Sequence, residues 1–438
     1  MSVQTVTLYP MFLYAWACLW LMAPVPMMPT RSMMTSLEPM KPLGYQWPQR
    51  AGAAQPGAVH ASVTAQWYPW SMLRSRLVWI PVLSAIAALL PLRAQQEMVR
   101  RHRPMPKAGD YLVLKADLHM HTVFSDGQVW PTTRVMEAWR EDLDVIAITD
   151  HDDYRPNEKD VSMDLSRPYE IARPIAEGLG IVIVPGVEIT KGDIHFNALF
   201  IRDHNAFRGK ELITALTEAK KQGAFSFWNH PGWKGKAEWW PVIATAYSDR
   251  LFQGIELLNG PVYYAEARQW IGQYGLTVMG NSDIHNASLP EDPRTVNLVL
   301  AKERSVEGVR EALHAGRTIA WDGGRRLIGR REWLETLVRT YLQAPREVRF
   351  TPGFWYNGLA LRNDSALTFE LKPVEAPRWM EALSTVVPPR STTVVQLRLN
   401  RDAPKTPARV TVRMEVSNTL VTETGGPLVL PFEFELIP

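Results

Sequence analysis

The chain is almost without cysteine: Cys18 carries the one thiol among 438 residues. A single sulfur can build neither a disulfide nor a thiolate metal site. An excess of charge of either sign is missing too. The 48 Lys and Arg nearly cancel the 45 Asp and Glu, so nothing in the balance announces nucleic acid or an anionic membrane as a partner. There is no G-x-S-x-G elbow for a serine nucleophile, no G-x-x-x-x-G-K-[ST] loop for a nucleoside triphosphate, and no internal repeat. Any metal must therefore be held by imidazole and carboxylate, a ligand set that suits zinc, manganese or iron.

What is present changes along the chain. Residues 1–71 have few charges, many Met, Pro and Trp, and no sustained period of two or 3.6, so they specify no amphipathic element. They are expected to be a disordered prefix, the product of an over-extended gene start. The apolar run 10–28 is crowded at its end by Pro24, Pro26 and Pro29 and has no basic residue before it, which argues against a membrane span. A better targeting signal begins at Met72: Arg74 and Arg76, an apolar stretch 77–92, then Ala94 at a cleavage position. That pattern predicts a signal peptide over 72–94, export to the periplasm or medium, and Gln95 as the mature N-terminus. Residues 95–110 read as a linker.

From Tyr111 the texture is one of short β-rich runs, at 111–116, 144–149, 180–184, 196–201, 224–228, 254–258 and 276–279, separated by helical segments. The segment 131–140 opens on Pro131, and 209–222 closes on Gly223, which are helix start and stop signals. Strands alternating with helices indicate parallel βαβ units, and seven of them suit a β/α barrel over 111–345. After about residue 346 the pattern becomes alternating strands between turn residues without helices, which predicts a small antiparallel β-sandwich over 346–438.

The chemistry-bearing residues gather at the ends of the predicted barrel strands. His119 and His121 are two apart, so an extended backbone aims both at the same side. Asp126 follows in a turn, His151 after the second strand, Glu188 after the third, then His195, His230 and, after the seventh strand, Asp283 and His285. A lone histidine at a strand end is usually a hydrogen-bonded structural residue. Six of ten histidines at successive strand mouths, with three carboxylates among them, are better explained as a metal-ligand set.

The runs DLHMHTVFSDG, AITDHDD, VPGVEIT, NHP and NSDIH resemble, in order and spacing, the metal-binding motifs of the polymerase-and-histidinol-phosphatase (PHP) family, over roughly 114–322. The resemblance implies a distorted seven-stranded β/α barrel with two or three divalent ions. It implies that His119, His121, Glu188 and Asp283 hold one ion, that Glu188 bridges to a second held by His195 and His230, and that Asp126, His151 and His285 hold a third. Asp126 stands where some members have histidine. The implied activity is hydrolysis of phosphoesters by a hydroxide shared between ions, with Asp283, His151 and His285 in catalytic roles. Two ions about 3.5–4 Å apart can clamp both the attacking and the leaving oxygen of an in-line displacement. The same chemistry admits carbamate or carboxyl esters as an alternative, and nuclease action is disfavoured by the balanced charge. A small-molecule ester is the expected partner. Trp228, Trp233, Trp239 and Trp240, with Lys234 and Lys236, surround the His230 motif, either as packing or as a wall for an aromatic ester. Arg294 reads as a phosphate contact or a surface ion-pair partner. The C-terminal module, with Arg349-Phe350-Thr351 and Leu361-Arg362-Asn363-Asp364, resembles the β-domain that follows the barrel in some exported phosphodiesterase-like members.

Overall fold

The computed structural model describes residues 100–289, 293–350 and 356–438. The expected prefix and signal peptide lie outside them, and no helix among the described residues is long and apolar enough to cross a membrane. The architecture is mixed α/β. Strands β1 (Leu112–Asp117), β2 (Val145–Ile148) and β3 (Val182–Lys191) pair in parallel, and β4 (Ile194–Leu199) follows β3 as a hairpin. Then come β5 (Phe225–Trp228), β6 (Gly254–Asn259), β7 (Val262–Tyr263) and β8 (Thr277–Asn281), with β5, β6 and β8 again parallel. Crossover helices α1 (Pro131–Arg140), α2 (Arg167–Gly178), α3 (Leu212–Lys221), α4 (Pro241–Ser248) and α5 (Arg268–Tyr274) connect them. Fully buried runs such as Val145–Ile148 and Phe225–Trp228 are what a sheet covered on both faces requires.

Two features depart from a uniform series of parallel units. First, β4 is antiparallel to both β3 and β5. Two residues separate Lys191 from Ile194, far short of the dozen or so that a parallel crossover needs, and Gly192 takes the left-handed φ of 62° that the tight turn demands. Second, the sheet continues past β1 through three antiparallel strands that the sequence pattern had not separated: β9 (Val296–Ala301), β10 (Thr318–Trp321) and β11 (Leu327–Gly329). The sheet curls until β8 meets β10. A Cβ on Gly280 would lie 2.7 Å from the Cβ of Ala320, so glycine is needed where the two ends touch.

Helices α6 (Val306–His314) and α7 (Arg331–Tyr341) complete this part. The α7 face formed by Leu334, Leu337, Val338 and Tyr341 is buried at helical spacing. It joins the apolar cluster of the C-terminal strands, which include Leu359, Phe369, Val410 and Leu428. Those strands form a four-stranded and a five-stranded sheet, with alternating burial as in Ala408–Val416. One C-terminal strand, Thr419–Val421, leaves them to pair in parallel with β11 at the edge of the barrel sheet.

Candidate metal centre

The mouth of the curled sheet is built by continuing its strands. Beyond β1, the amide of His121 donates to the carbonyl of Ile284 at 3.1 Å, and that of Asp283 to the carbonyl of His119 at 2.9 Å. This short ladder holds both ligand motifs side by side. The reversed direction of β4 matters here, because its first residues lie at the end where its parallel neighbours finish; Thr190 and His195 are register partners. His230 and Asp283 have positive φ, 27° and 51°. Such backbone is costly for residues other than glycine and collects at functional sites.

All nine residues singled out above come together. Glu188 is fully buried and lies at the centre. Its Oε2 is 3.3 Å from Nε2 of both His119 and His121, and its Oε1 is 3.1 Å from His195 Nδ1 and 3.4 Å from His230 Nε2. Asp283 Oδ1 lies 3.2 Å from His119 Nε2 and 3.0 Å from His121 Nε2. Towards solvent, Asp126 Oδ1 is 3.2 Å from His285 Nε2, 3.5 Å from His151 Nε2 and 3.7 Å from His121 Nδ1. His151 Nδ1 approaches Glu188 Oε2 at 2.9 Å.

The donor atoms fit a cation. His119 Nε2, His121 Nε2, Glu188 Oε2 and Asp283 Oδ1 are buried with no hydrogen-bond partner, a costly condition for a protein to maintain without a ligand. The four imidazole–carboxylate approaches among these atoms span 3.0–3.3 Å, and imidazole with carboxylate is a donor set that suits zinc. The far sides of the imidazoles are fixed as well. His119 Nδ1 lies 3.0 Å from Glu256 Oε1, His285 Nδ1 lies 2.7 Å from the carbonyl of Asp283, and His195 Nε2 lies 3.2 Å from the carbonyl of Gly192. Each acceptor puts the proton on the outer nitrogen and turns the other nitrogen's lone pair inward.

Without cations the cluster is a knot of opposed charges. Burial works against a charged His151, but Glu188 and Asp126 outweigh it and push the imidazole up to about 10. Burial is likewise overcome at His119, which Asp283, Glu188 and Glu256 raise well above the ordinary histidine value. Against their own burial, Glu188 is held below the usual carboxylate range by His151, His119 and His121, and Asp283 by His119 and His121. A cation entering such a site displaces protons from the imidazoles.

Over 99% of its length, a two-domain protein from Bacteroides vulgatus containing a predicted PHP-like metal-dependent phosphoesterase is similar to this chain, with 36% identity, 77% of this chain covered and a TM-score of 0.71. The chain belongs to the PHP-like metal-dependent phosphoesterases. Two more distant solved structures align with it. One is a putative metal-dependent phosphoesterase from Bifidobacterium adolescentis, 18% identical over 45% of this chain and 95% of that one, with a TM-score of 0.32. The other is a histidinol phosphate phosphatase from Lactococcus lactis, 16% identical over 46% and 93%, with a TM-score of 0.27. No family model matches the chain, and no curated protein does.

Several residues around this PHP centre went unnoticed in the sequence. Glu256, fully buried on β6, accepts from Asn281 and faces His119 through Oε1, and accepts from Asn259 and the amide of His230 through Oε2. Its signal was a carboxylate inside the otherwise apolar strand Gly254–Asn259. Asp117 accepts from the amide and hydroxyl of Ser282, steadying the residue next to Asp283. Arg294 is an ion-pair partner, as one of its two readings had it, but a buried rather than a surface one. Its side chain pairs with Asp117 at 3.0 Å and Glu141 at 2.6 Å, two residues before β9, the strand that pairs with β1. Trp228, Trp239 and Trp240 are packing: Trp228 stacks on Trp270 at 5.3 Å and Trp239 on Tyr274 at 4.1 Å.

Proposed function

We propose that this protein hydrolyses small-molecule phosphoesters, mono- or diesters, at a centre of two or three divalent ions of zinc, manganese or iron. The observation that carries the reading is Glu188: fully buried, it turns one oxygen to His119 and His121 and the other to His195 and His230. A carboxylate so arranged suits two cations sharing one ligand. His119, His121, Glu188 and Asp283 would hold one ion, Glu188, His195 and His230 a second, and Asp126, His151 and His285 a third. When bound, the ions supply Lewis-acid activation of water and of the phosphoryl oxygens.

The chain's own groups do the rest. Glu188 stays ionised among its histidines, and the buried floor formed by Glu256, Asn281 and Asn229 keeps bulk water from beneath the centre. Asp283 has a partly exposed side chain whose Oδ2 is oriented by Asn259 at 3.1 Å, which suits it to receive the proton of the attacking water. His285, at 35% the most exposed imidazole of the set, and His151 face the phosphoryl oxygens from the solvent side.

The test uses protein loaded with zinc or manganese and a panel of p-nitrophenyl phosphate, bis-p-nitrophenyl phosphate and a naphthyl carbamate. Turnover of a phosphoester is expected, and turnover of the carbamate alone would defeat the reading. Asp283→Asn, which keeps a residue tolerant of positive φ, is expected to fold normally and to lose about a thousandfold or more in kcat, the several kcal/mol that Lewis-acid catalysis supplies. Wild-type rates in a metal-replete Asp283→Asn protein would exclude the mechanism.

A further inference from the structure

The mouth carries aromatic surface that the packing does not use. Among the described residues three large aromatic side chains are exposed: Trp130, Tyr154 at 55% and Trp233 at 46%. Two of these lie against histidines of the centre. The Trp233 ring is 5.3 Å from that of His195 and 5.6 Å from that of His230, and the Tyr154 ring is 5.9 Å from that of His151. The rings of His151 and His195 are themselves 5.5 Å apart. Tyr154, His151, His195 and Trp233 thus form a row of four rings across the mouth, with ligand histidines in the middle and an open aromatic at each end.

Trp233 is open without being loose. Its indole N–H donates to the carbonyl of Asp193 at 3.1 Å, and the Lys234 ammonium sits 4.4 Å from its centroid while pairing with Asp193 at 2.6 Å. A ring fixed in orientation yet half exposed is poised to cover something. Burial in the Trp228, Trp239 and Trp270 cluster was the alternative available to a tryptophan in this region, and Trp233 does not take it. Flat aromatic faces stack on such rings whatever their hydrogen-bonding pattern, whereas a short alkyl group gains little from them.

Building on the phosphoester reading above, we propose that Tyr154 and Trp233 form the binding edge for a planar aromatic leaving group, so that the preferred substrates are phosphoesters of aryl alcohols or of nucleosides rather than of simple alkyl alcohols. Both rings touch the leaving group rather than the reacting phosphorus, so they act on specificity.

The experiment compares the metal-loaded wild type with Trp233→Ala and Trp233→Phe on p-nitrophenyl phosphate, adenosine 5′-monophosphate and glycerol 2-phosphate. Binding of phenylphosphonate and methylphosphonate is measured by calorimetry alongside. Trp233→Ala is expected to lower kcat/KM about tenfold on a ring-bearing ester, mostly through KM, in line with the loss of one stacking contact. Glycerol 2-phosphate should be unaffected, and phenylphosphonate but not methylphosphonate should bind more weakly. Trp233→Phe should restore most of the difference. A loss confined to the aryl ester or to the nucleotide supports the proposal and identifies the source of the ring. Equal losses on ring-bearing and alkyl esters would overturn it, as would metal loss from Trp233→Ala, since the ring would then merely brace His195 and His230. Absence of turnover on all three esters and on bis-p-nitrophenyl phosphate would instead remove the phosphoester reading.

Discussion

Two clusters of buried charge lie back to back across the backbone of His119–His121 and Asp283–Asn286, and they treat their polar atoms in opposite ways. On the mouth side, four side-chain atoms of His119, His121, Glu188 and Asp283 have no hydrogen-bond partner. On the other side Arg134, also fully buried, uses every N–H it has. It donates to the carbonyls of His121, Ile284, His285 and Asn286 and to Glu137, at 2.7–3.0 Å. Arg294 joins it with Asp117 and Glu141, leaving one nitrogen, Nη2, without a hydrogen bond. Burial and charge are common to both clusters; satisfaction is not. Orphaned atoms that converge on one point mark a place made for a ligand, whereas saturated ones mark a clamp that holds the loops presenting it.

Arg134→Met gives the largest expected effect, because it removes all five hydrogen bonds that Arg134 donates to Glu137 and the four carbonyls while altering no proposed ligand side chain. Breaking a buried pair of this kind costs about 3–5 kcal/mol, to be read from denaturant unfolding of the metal-free protein. A loss below about 1 kcal/mol would mean that the clamp is not what separates the two clusters. Glu256→Gln probes the boundary between them, since Glu256 orients His119 and the amide of His230 but does not face the cations. Its expected cost is about 10–100-fold in metal affinity, measured by competition with a chelator, with unfolding of the metal-free protein little changed. Unaltered affinity would assign Glu256 to the structural side.

The smallest effect concerns pH and a third charged group, around Asp142. Burial alone would raise its carboxyl, but Lys115 at 2.6 Å and the amide of Arg103 outweigh it and hold the carboxyl below its ordinary value. A carboxyl depressed in the folded state stabilises above the unfolded pKa of about 3.9, and that contribution disappears as pH falls through the lower folded value. Asp142→Asn should therefore flatten the loss of stability below about pH 4 while leaving metal content and turnover at neutral pH unchanged. Thermal unfolding between pH 2.5 and 7 reads this, and an unflattened acid limb would show that the pair contributes nothing.

Much of this was legible in the chain because it depends on neighbours in sequence. The apolar runs at 144–149 and 224–228 lie within a residue of β2 and β5, and helix 131–140 has the bounds that Pro131 suggested. The histidine and carboxylate motifs at successive strand ends already suggested a common mouth. What escaped notice depends on partners far away. Arg134 carries no signal within its own helix, because three of its carbonyl partners lie some 150 positions further on. The burial of the Arg294 side chain was hidden for the same reason, since its partners Asp117 and Glu141 lie more than 150 positions away. The antiparallel direction of β4 rests on the two-residue Gly192–Asp193 turn, which the run of β-rich segments does not reveal, and β9 to β11 lie beyond the last ligand motif.

The pairing of Thr419–Val421 with β11 has a consequence for how the molecule is made. The edge of the sheet that carries the candidate metal centre is completed by residues some 92 positions further along the chain. A nascent chain that has already produced every candidate ligand from His119 to His285 still presents Leu327–Gly329 as an uncovered strand edge, open to pairing with another chain. Thr419–Val421 therefore protects as well as extends: this edge of the sheet is shielded from neighbouring chains only once that strand has been made and has paired.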